Sequence, residues 1–182
     1  MKKSNIITIA YIGVTAALIA VCSLISVPMP WGVPVTLQTF AIAFAGYFLG
    51  SKNGTVSVIV YILLGAVGMP VFSGFKGGFS VLVGLTGGFI YGFILLGFLC
   101  GAAVKSKSKV ITVVFSVCGI LATHLLGTIQ FSFVSSTPVL RSFLTVSLPF
   151  LLKDFVSLIS AFMLAVKVRK ILSGRLLFSH YT

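Results

Sequence analysis

Asp154 is the only acidic side chain in 182 residues, set against thirteen lysines and arginines and two histidines. It lies in an apolar stretch, Leu148-Pro-Phe-Leu-Leu-Lys-Asp154. A carboxylate there is expensive to keep out of water and marks a functional site by default. The competing reading is a charge favoured by the dipole at a helix start, or a plain ion pair. Lys153 is its neighbour in sequence, but adjacent helical residues point about 100° apart, so the two need not pair. Three other cations lie where a polar ligand could meet them: Lys153 itself, Lys76 and Arg141.

Further polar chemistry gathers at element boundaries. Thr36, Gln38 and Thr39 follow a proline-rich stretch with Trp31, and Gln38 offers both a donor and an acceptor. Eleven of the nineteen glycines lie between Gly65 and Gly101. Gly74, Gly77 and Gly78, among Phe72, Phe75 and Phe79, suggest a hairpin dipping towards a pocket, with a surface loop as the alternative. Gly84, Gly88 and Gly92 recur every four residues, as a helix-packing face or a ligand wall. Gly13, Ala16, Ala17 and Ala20 form a second small face, able to receive a helix of this chain or of a partner. His124 has no second histidine or carboxylate at ligand spacing, so it is expected to be a packed or hydrogen-bonded helix residue rather than a metal ligand. One aspartate and two separated histidines give no acid–base pair and no metal cluster, so no catalytic residue and no enzyme is expected.

The elements that must position these groups follow from composition. The chain is 58% hydrophobic and 8% charged, with a mean hydropathy of +1.22. Soluble domains carry about 25% charged residues, which excludes a water-facing globule. At about 20 apolar residues per crossing, the length accommodates six helices and leaves no room for a soluble domain beside them. The expectation is an all-α membrane protein, one integral domain over 1–182, with helices at about 6–26, 35–49, 55–67, 80–104, 110–133 and 149–168. The first run is too long for a signal peptide's apolar core and lacks a clear A-x-A site, so it is expected to be retained. Cys22, Cys100 and Cys118 lack CxxC spacing and are expected to be buried free thiols.

The net charge of +12 comes from cations scattered between apolar runs, which is the pattern of topology determinants rather than of a nucleic-acid surface. Lys2, Lys3, Lys52, Lys105, Lys107, Lys109, Lys167, Arg169, Lys170 and Arg175 fall on one side of a six-helix path. Only Lys76 and Arg141 fall on the other, with Lys153 near the mouth of the sixth helix. Both termini are therefore expected in the cytoplasm. The outer connections, 27–35, 68–80 and 134–148, then hold most of the irregular polar chemistry, the shape of a receptor that loads from outside. No channel filter and no matching inverted halves are visible.

Three strings, in this order, resemble one known family: Pro34-Val-Thr-Leu-Gln-Thr-Phe40, Leu64-Gly-Ala-Val-Gly-Met-Pro-Val-Phe72 and Gly84-Leu-Thr-Gly-Gly-Phe-Ile-Tyr-Gly-Phe93. They are similar to the BioY family, biotin-specific substrate-binding (S) components of energy-coupling-factor (ECF) transporters, with the likeness running from about Ala16 to Leu164. The resemblance implies an S-component bundle in the bacterial plasma membrane that captures biotin from outside. It also implies a transmembrane coupling subunit and two ATPase subunits as partners, with Ala16 and Ala20 on the face that meets the coupling subunit. The chain has no GxxxxGK[ST] loop, so the partners would use the ATP and no cofactor is expected here.

The ligand site so implied draws on Asp154, Lys153, Lys76, Arg141, Gln38, Thr36, Phe75, Gly77, Gly78, Thr86, Gly87, Gly88 and Tyr91. A ureido ring presents two N–H donors and a carbonyl, so Asp154 suits it as acceptor. The tail carboxylate calls for a cation, supplied by Lys76, Arg141 or Lys153. The family pattern places a lysine three residues after the aspartate; here that position is Ser157, and Lys153 stands where a small residue is usual. The alternatives are an S component for another small apolar acid such as lipoate, or, outside this class, a membrane scaffold or an enzyme.

Overall fold

The computed structural model describes residues 3–106 and 108–173; Lys2, Lys107, Arg175 and His180 lie outside the described residues. Helix α1 spans Lys3–Leu24 and gives way to a short antiparallel hairpin, β1 (Ser26–Val27) and β2 (Val35–Thr36), with Ser26 opposite Thr36. Pro28, Pro30 and Pro34 fall within or beside its loop, where proline disfavours helix in the preceding residue. Helix α2, Gln38–Ala66, is a helical hairpin rather than one rod. At Gly50 the backbone takes φ 80° and ψ 175°, which a residue without Cβ adopts freely. The limbs 38–49 and 51–66 then fold back on each other, so that Gln38 meets Tyr61 and Gly54 rests on the backbone of Ala45 and Gly46. The turn expected over residues 50–54 is compressed into this one glycine.

The run expected as one helix over 80–104 is broken. Helix α3 covers Phe79–Val83, and α4 covers Gly87–Ala103. Between them Gly84 is extended (φ −85°, ψ −166°), so it does not share a helical face with Gly88 and Gly92. The freed carbonyls of Leu82 and Gly84 both accept hydrogen bonds from Gln130 Nε2, each at 2.8 Å. Backbone that leaves a helix at membrane depth requires such partners. Helix α5, Lys109–Ser135, ends at Ser136 in the left-handed region, and α7 runs over Leu148–Ser173 with Pro149 tolerated in its first turn. The connection 134–148, expected to be irregular, contains an eight-residue helix, α6 (Val139–Val146).

Helix α4 packs chiefly on α5 and α2, while α1 and α7 pack on α2, and α6 bridges α5 to α7. Glycines set the spacing. A Cβ at Gly46 would strike Gly97 and Cys100, and one at Gly92 would strike Thr123. The core joins Ile19, Ile42, Val58, Tyr61, Phe72 and Leu96, all essentially inaccessible. The exterior is also apolar: Val113, Leu125, Ile159 and Met163 are exposed. Such a surface is a liability in water and ordinary against lipid. Among the described residues, Ile6–Leu24, Gln38–Ala66, Lys109–Ser135 and Leu148–Leu172 are long and apolar enough to cross a membrane, with Gly87–Ala103 a shorter apolar helix. Cys22 and Cys100 are buried as expected; Cys118 is not, because it lies on the outward face of α5.

Candidate functional site

A narrow cavity of about 60 Å³ opens at the end of the bundle that carries the β hairpin and α6. Its walls are drawn from distant parts of the chain: Val33, Pro34 and Thr36 beside the hairpin, Gln38 and Thr39 at the start of α2, Phe72 and Ser73 from the loop after α2, Val81 and Thr86 around the broken helix. Phe89, Ile90 and Phe93 of α4, Thr123 and His124 of α5, Val146 of α6, and Phe150, Lys153 and Asp154 of α7 complete it. Mostly apolar walls with a few convergent polar groups are the usual make-up of a small-molecule site. A satellite cluster of Val33, Phe131, Val146 and Phe150, with Trp31 and Leu85 packed on it, forms the apolar cap at this end.

The polar groups converge on Asp154, which is 6% exposed. His124 Nε2 lies 3.0 Å from Asp154 Oδ2, and Lys153 Nζ lies 2.5 Å from Oδ1. Lys153 also donates to the Thr36 carbonyl at 3.1 Å, tying α7 to β2. A single buried carboxylate is thus matched by one ammonium and one imidazole, which offsets the cost of burying it. The His124 ring in turn stands edge-on to Phe89, with centroids 5.9 Å apart. The pairing of Lys153 with Asp154, left open by their sequence adjacency, is realised here. His124 is the hydrogen-bonded helix residue expected of it, and its partner is the lone carboxylate.

Thr36 and Gln38 belong to a second buried network. Thr36 Oγ1 donates to Gln38 Oε1 at 2.9 Å, Gln38 Nε2 donates to Tyr61 Oη at 2.7 Å, and Tyr61 Oη donates to Ser23 Oγ at 3.0 Å. Both ends of the Gln38 amide are therefore engaged within the chain. The network holds the start of α2 against its own second limb and α1, which fixes one wall of the cavity.

Thr39, Phe72 and His124, noted in the sequence on other grounds, line the cavity; of the residues assigned there to the ligand site, the structure brings Thr36, Gln38, Thr86, Lys153 and Asp154 together around it. The others lie elsewhere. Gly87 and Gly88 face α3 and α5, where a Cβ would strike the carbonyls of Leu82 and Leu126. Gly77 is pressed on the carbonyls of Gly68 and Met69. Phe75, Lys76, Tyr91 and Arg141 are exposed, and Gly78 precedes α3 with φ 97°. The loop does dip inward, through Phe72 and Ser73: Phe72 and Lys76 pair their backbones across a tight turn, sending Phe72 into the core. Ala16 is 2% exposed and Ala20 is half-buried, both packed in this chain's own core, which leaves Gly13 and Ala17 as the open members of that small face. Among the described residues no three His, Cys, Asp or Glu side chains group as metal ligands.

Residues 1–174 match the model of the BioY family. The chain is 39% identical over 161 residues to the biotin transporter BioY of Thermotoga maritima, covering 87% of this chain and 94% of that protein. It is 36% identical over 138 residues to the probable biotin transporter BioY of Pyrococcus horikoshii, covering 75% and 81%. Its fold is similar to the crystal structure of the S-component for biotin from an ECF-type ABC transporter, with a TM-score of 0.84, 28% identity, and coverage of 93% of this chain and 94% of the other. On this evidence of sequence and fold, the chain belongs to the BioY family.

Proposed function

We propose that this chain is the biotin-capturing S component of an ECF-type importer, a membrane binding subunit and not an enzyme. The observation that carries the reading is Asp154, buried and paired with His124 and Lys153 in a cavity whose other walls are mostly apolar. A bicyclic ureido ring suits such a site: its faces are apolar and its edge carries N–H donors for a carboxylate. With Lys153 committed to Asp154 and Thr36, the exposed Lys76 and Arg141 are the cations left for the tail carboxylate, reached from the open side.

The chain crosses the bacterial plasma membrane six times, through α1, the two limbs of α2, α3 with α4, α5 and α7, with both termini cytoplasmic. The cavity then faces outward and the Gly50 turn faces the cytoplasm. Uptake is driven by two ATPase subunits through a transmembrane coupling subunit that docks on the small-residue face of α1. Reporter fusions placed at Lys52 and Arg141 check the orientation: activity of a cytoplasmic reporter at 141 would overturn it.

Calorimetric titration of biotin into the purified, detergent-solubilised chain, with lipoate alongside, tests the ligand. Saturable heat from biotin is expected. Heat from lipoate alone would keep the binding role and change the substrate, and silence from both in folded protein would overturn the reading.

A further inference from the structure

His124 is 4% exposed, on a helix thirty residues away in sequence from the carboxylate it meets, and its ring lines the cavity. Asp154 already receives an ammonium at Oδ1, so it is an acceptor, and the imidazole must donate Nε2–H to Oδ2. In the neutral ring the other nitrogen is then a lone-pair acceptor. That atom, Nδ1, is buried without a hydrogen-bond partner among the described residues. Buried polar atoms of this kind are rare, and one in a ligand cavity points to a partner that arrives with the ligand. A helix residue whose sole task was to orient Asp154 would gain stability by giving Nδ1 a partner in its own fold.

We propose that His124 Nδ1 accepts a hydrogen bond from one ureido N–H of the bound ligand, so that His124 and Asp154 divide its two N–H donors between them. The inference rests on the biotin reading above and extends it to specificity. A ring with both donors satisfies both acceptors. A ligand without N–H groups, such as a dithiolane acid, leaves two buried acceptors unpaired, and polar sites reject such analogues far more strongly than apolar walls can. The Lys153 pair with Asp154 completes the arrangement, because it holds the carboxylate in its accepting form and so fixes which ring nitrogen of His124 keeps the lone pair.

A ligand–protein double-mutant cycle separates this role from mere positioning. Affinities are measured for biotin and for two analogues, each with one ureido N–H replaced by a ring oxygen, against the unmodified chain, His124→Gln and His124→Asn. Glutamine places its amide near Nε2, retaining a donor for Asp154 and leaving nothing at Nδ1. Asparagine places an acceptor near Nδ1 and gives up the Asp154 contact. In the unmodified chain each analogue is expected to bind about tenfold or more weaker than biotin. In His124→Gln the penalty for one analogue should fall to about twofold or less while the other persists, and in His124→Asn both should persist. Full penalties for both analogues in His124→Gln would overturn the proposal and reduce His124 to a support for Asp154. Failure of the unmodified chain to bind biotin would instead sink the biotin reading itself.

Discussion

Two spaces are lined by both α5 and α7, one towards each end of the molecule, and they are unlike. At the hairpin end the gap is crossed by His124 and Asp154, roofed by α6, and leaves about 60 Å³. At the Gly50 end a cleft of about 570 Å³ lies open between Val113, Val117, Phe155, Leu158, Ile159 and Phe162, with Tyr47 on its floor. The larger space is the poorer site. Of its polar groups, Tyr47 Oη and Ser116 Oγ hydrogen-bond each other at 2.5 Å, Thr112 Oγ1 donates to the Ala103 and Ser108 carbonyls, and Lys109 adds a cation; no carboxylate or unpartnered acceptor faces it among the described residues. Volume in a membrane protein can be filled by lipid; convergent polar groups kept out of water are what a ligand explains.

Substitutions can break that contrast, and the largest effect belongs to the hairpin end. Asp154→Ala removes the shared partner of Lys153 and His124, leaving the buried imidazole and the half-buried ammonium beside a ligand that has lost its acceptor. Truncating one member of such a pair costs about 2–5 kcal/mol, so biotin affinity should fall by at least about 30-fold in calorimetry. An unchanged affinity would remove the polar cluster from the site. Next comes Gly88→Leu, which drives a side chain into the Leu126 carbonyl where α4 meets α5. Overpacking costs about 1–3 kcal/mol, and the rigid backbone it strikes favours the upper end. A lowered unfolding temperature measures it, and lost affinity in protein that melts normally would make Gly88 a ligand wall after all. Tyr61→Phe cuts the link between Gln38 and Ser23 away from the ligand. It should cost about 1 kcal/mol of stability, with affinity reduced only as the Gln38 wall loosens.

The two ends were also unequally legible in the sequence. Asp154 stands out because it is the one acidic side chain and lies in an apolar run, where even a helix-start charge or a plain ion pair has to offset the cost of leaving water. Its partner His124 does not, since nothing local to either residue encodes a contact between α5 and α7 thirty residues apart. The break at Gly84 is hidden for a similar reason. The string around it is apolar enough for one helix, and the decisive groups are the two hydrogen bonds supplied by Gln130 from another element. Helix α6 escapes a search for crossings because its eight residues, with Arg141, Ser142 and Thr145, are too short and too polar to span a bilayer. The glycine positions were visible, yet their roles separate only with their neighbours in place: Gly50 turns the chain, while Gly87 and Gly88 admit backbone.

The smallest effect is expected at the Gly50 end, and it is the one that isolates polarity from volume. Val113→Phe and Ile159→Phe add apolar bulk to the cleft from positions that are 60% and 62% exposed. Neither residue touches the Asp154 cluster, and exposed apolar exchanges usually change stability by no more than about 0.5 kcal/mol. Biotin affinity should therefore stay within about twofold of the unmodified chain. Were the ligand to enter the larger space, these substitutions would weaken binding while Asp154→Ala left it intact, inverting the order of effects. A graded loss from both ends would mean that the bundle transmits a change at α5 and α7 along their length. His124 would then be the place to look for it, since it joins the two helices midway between the cleft and the cap.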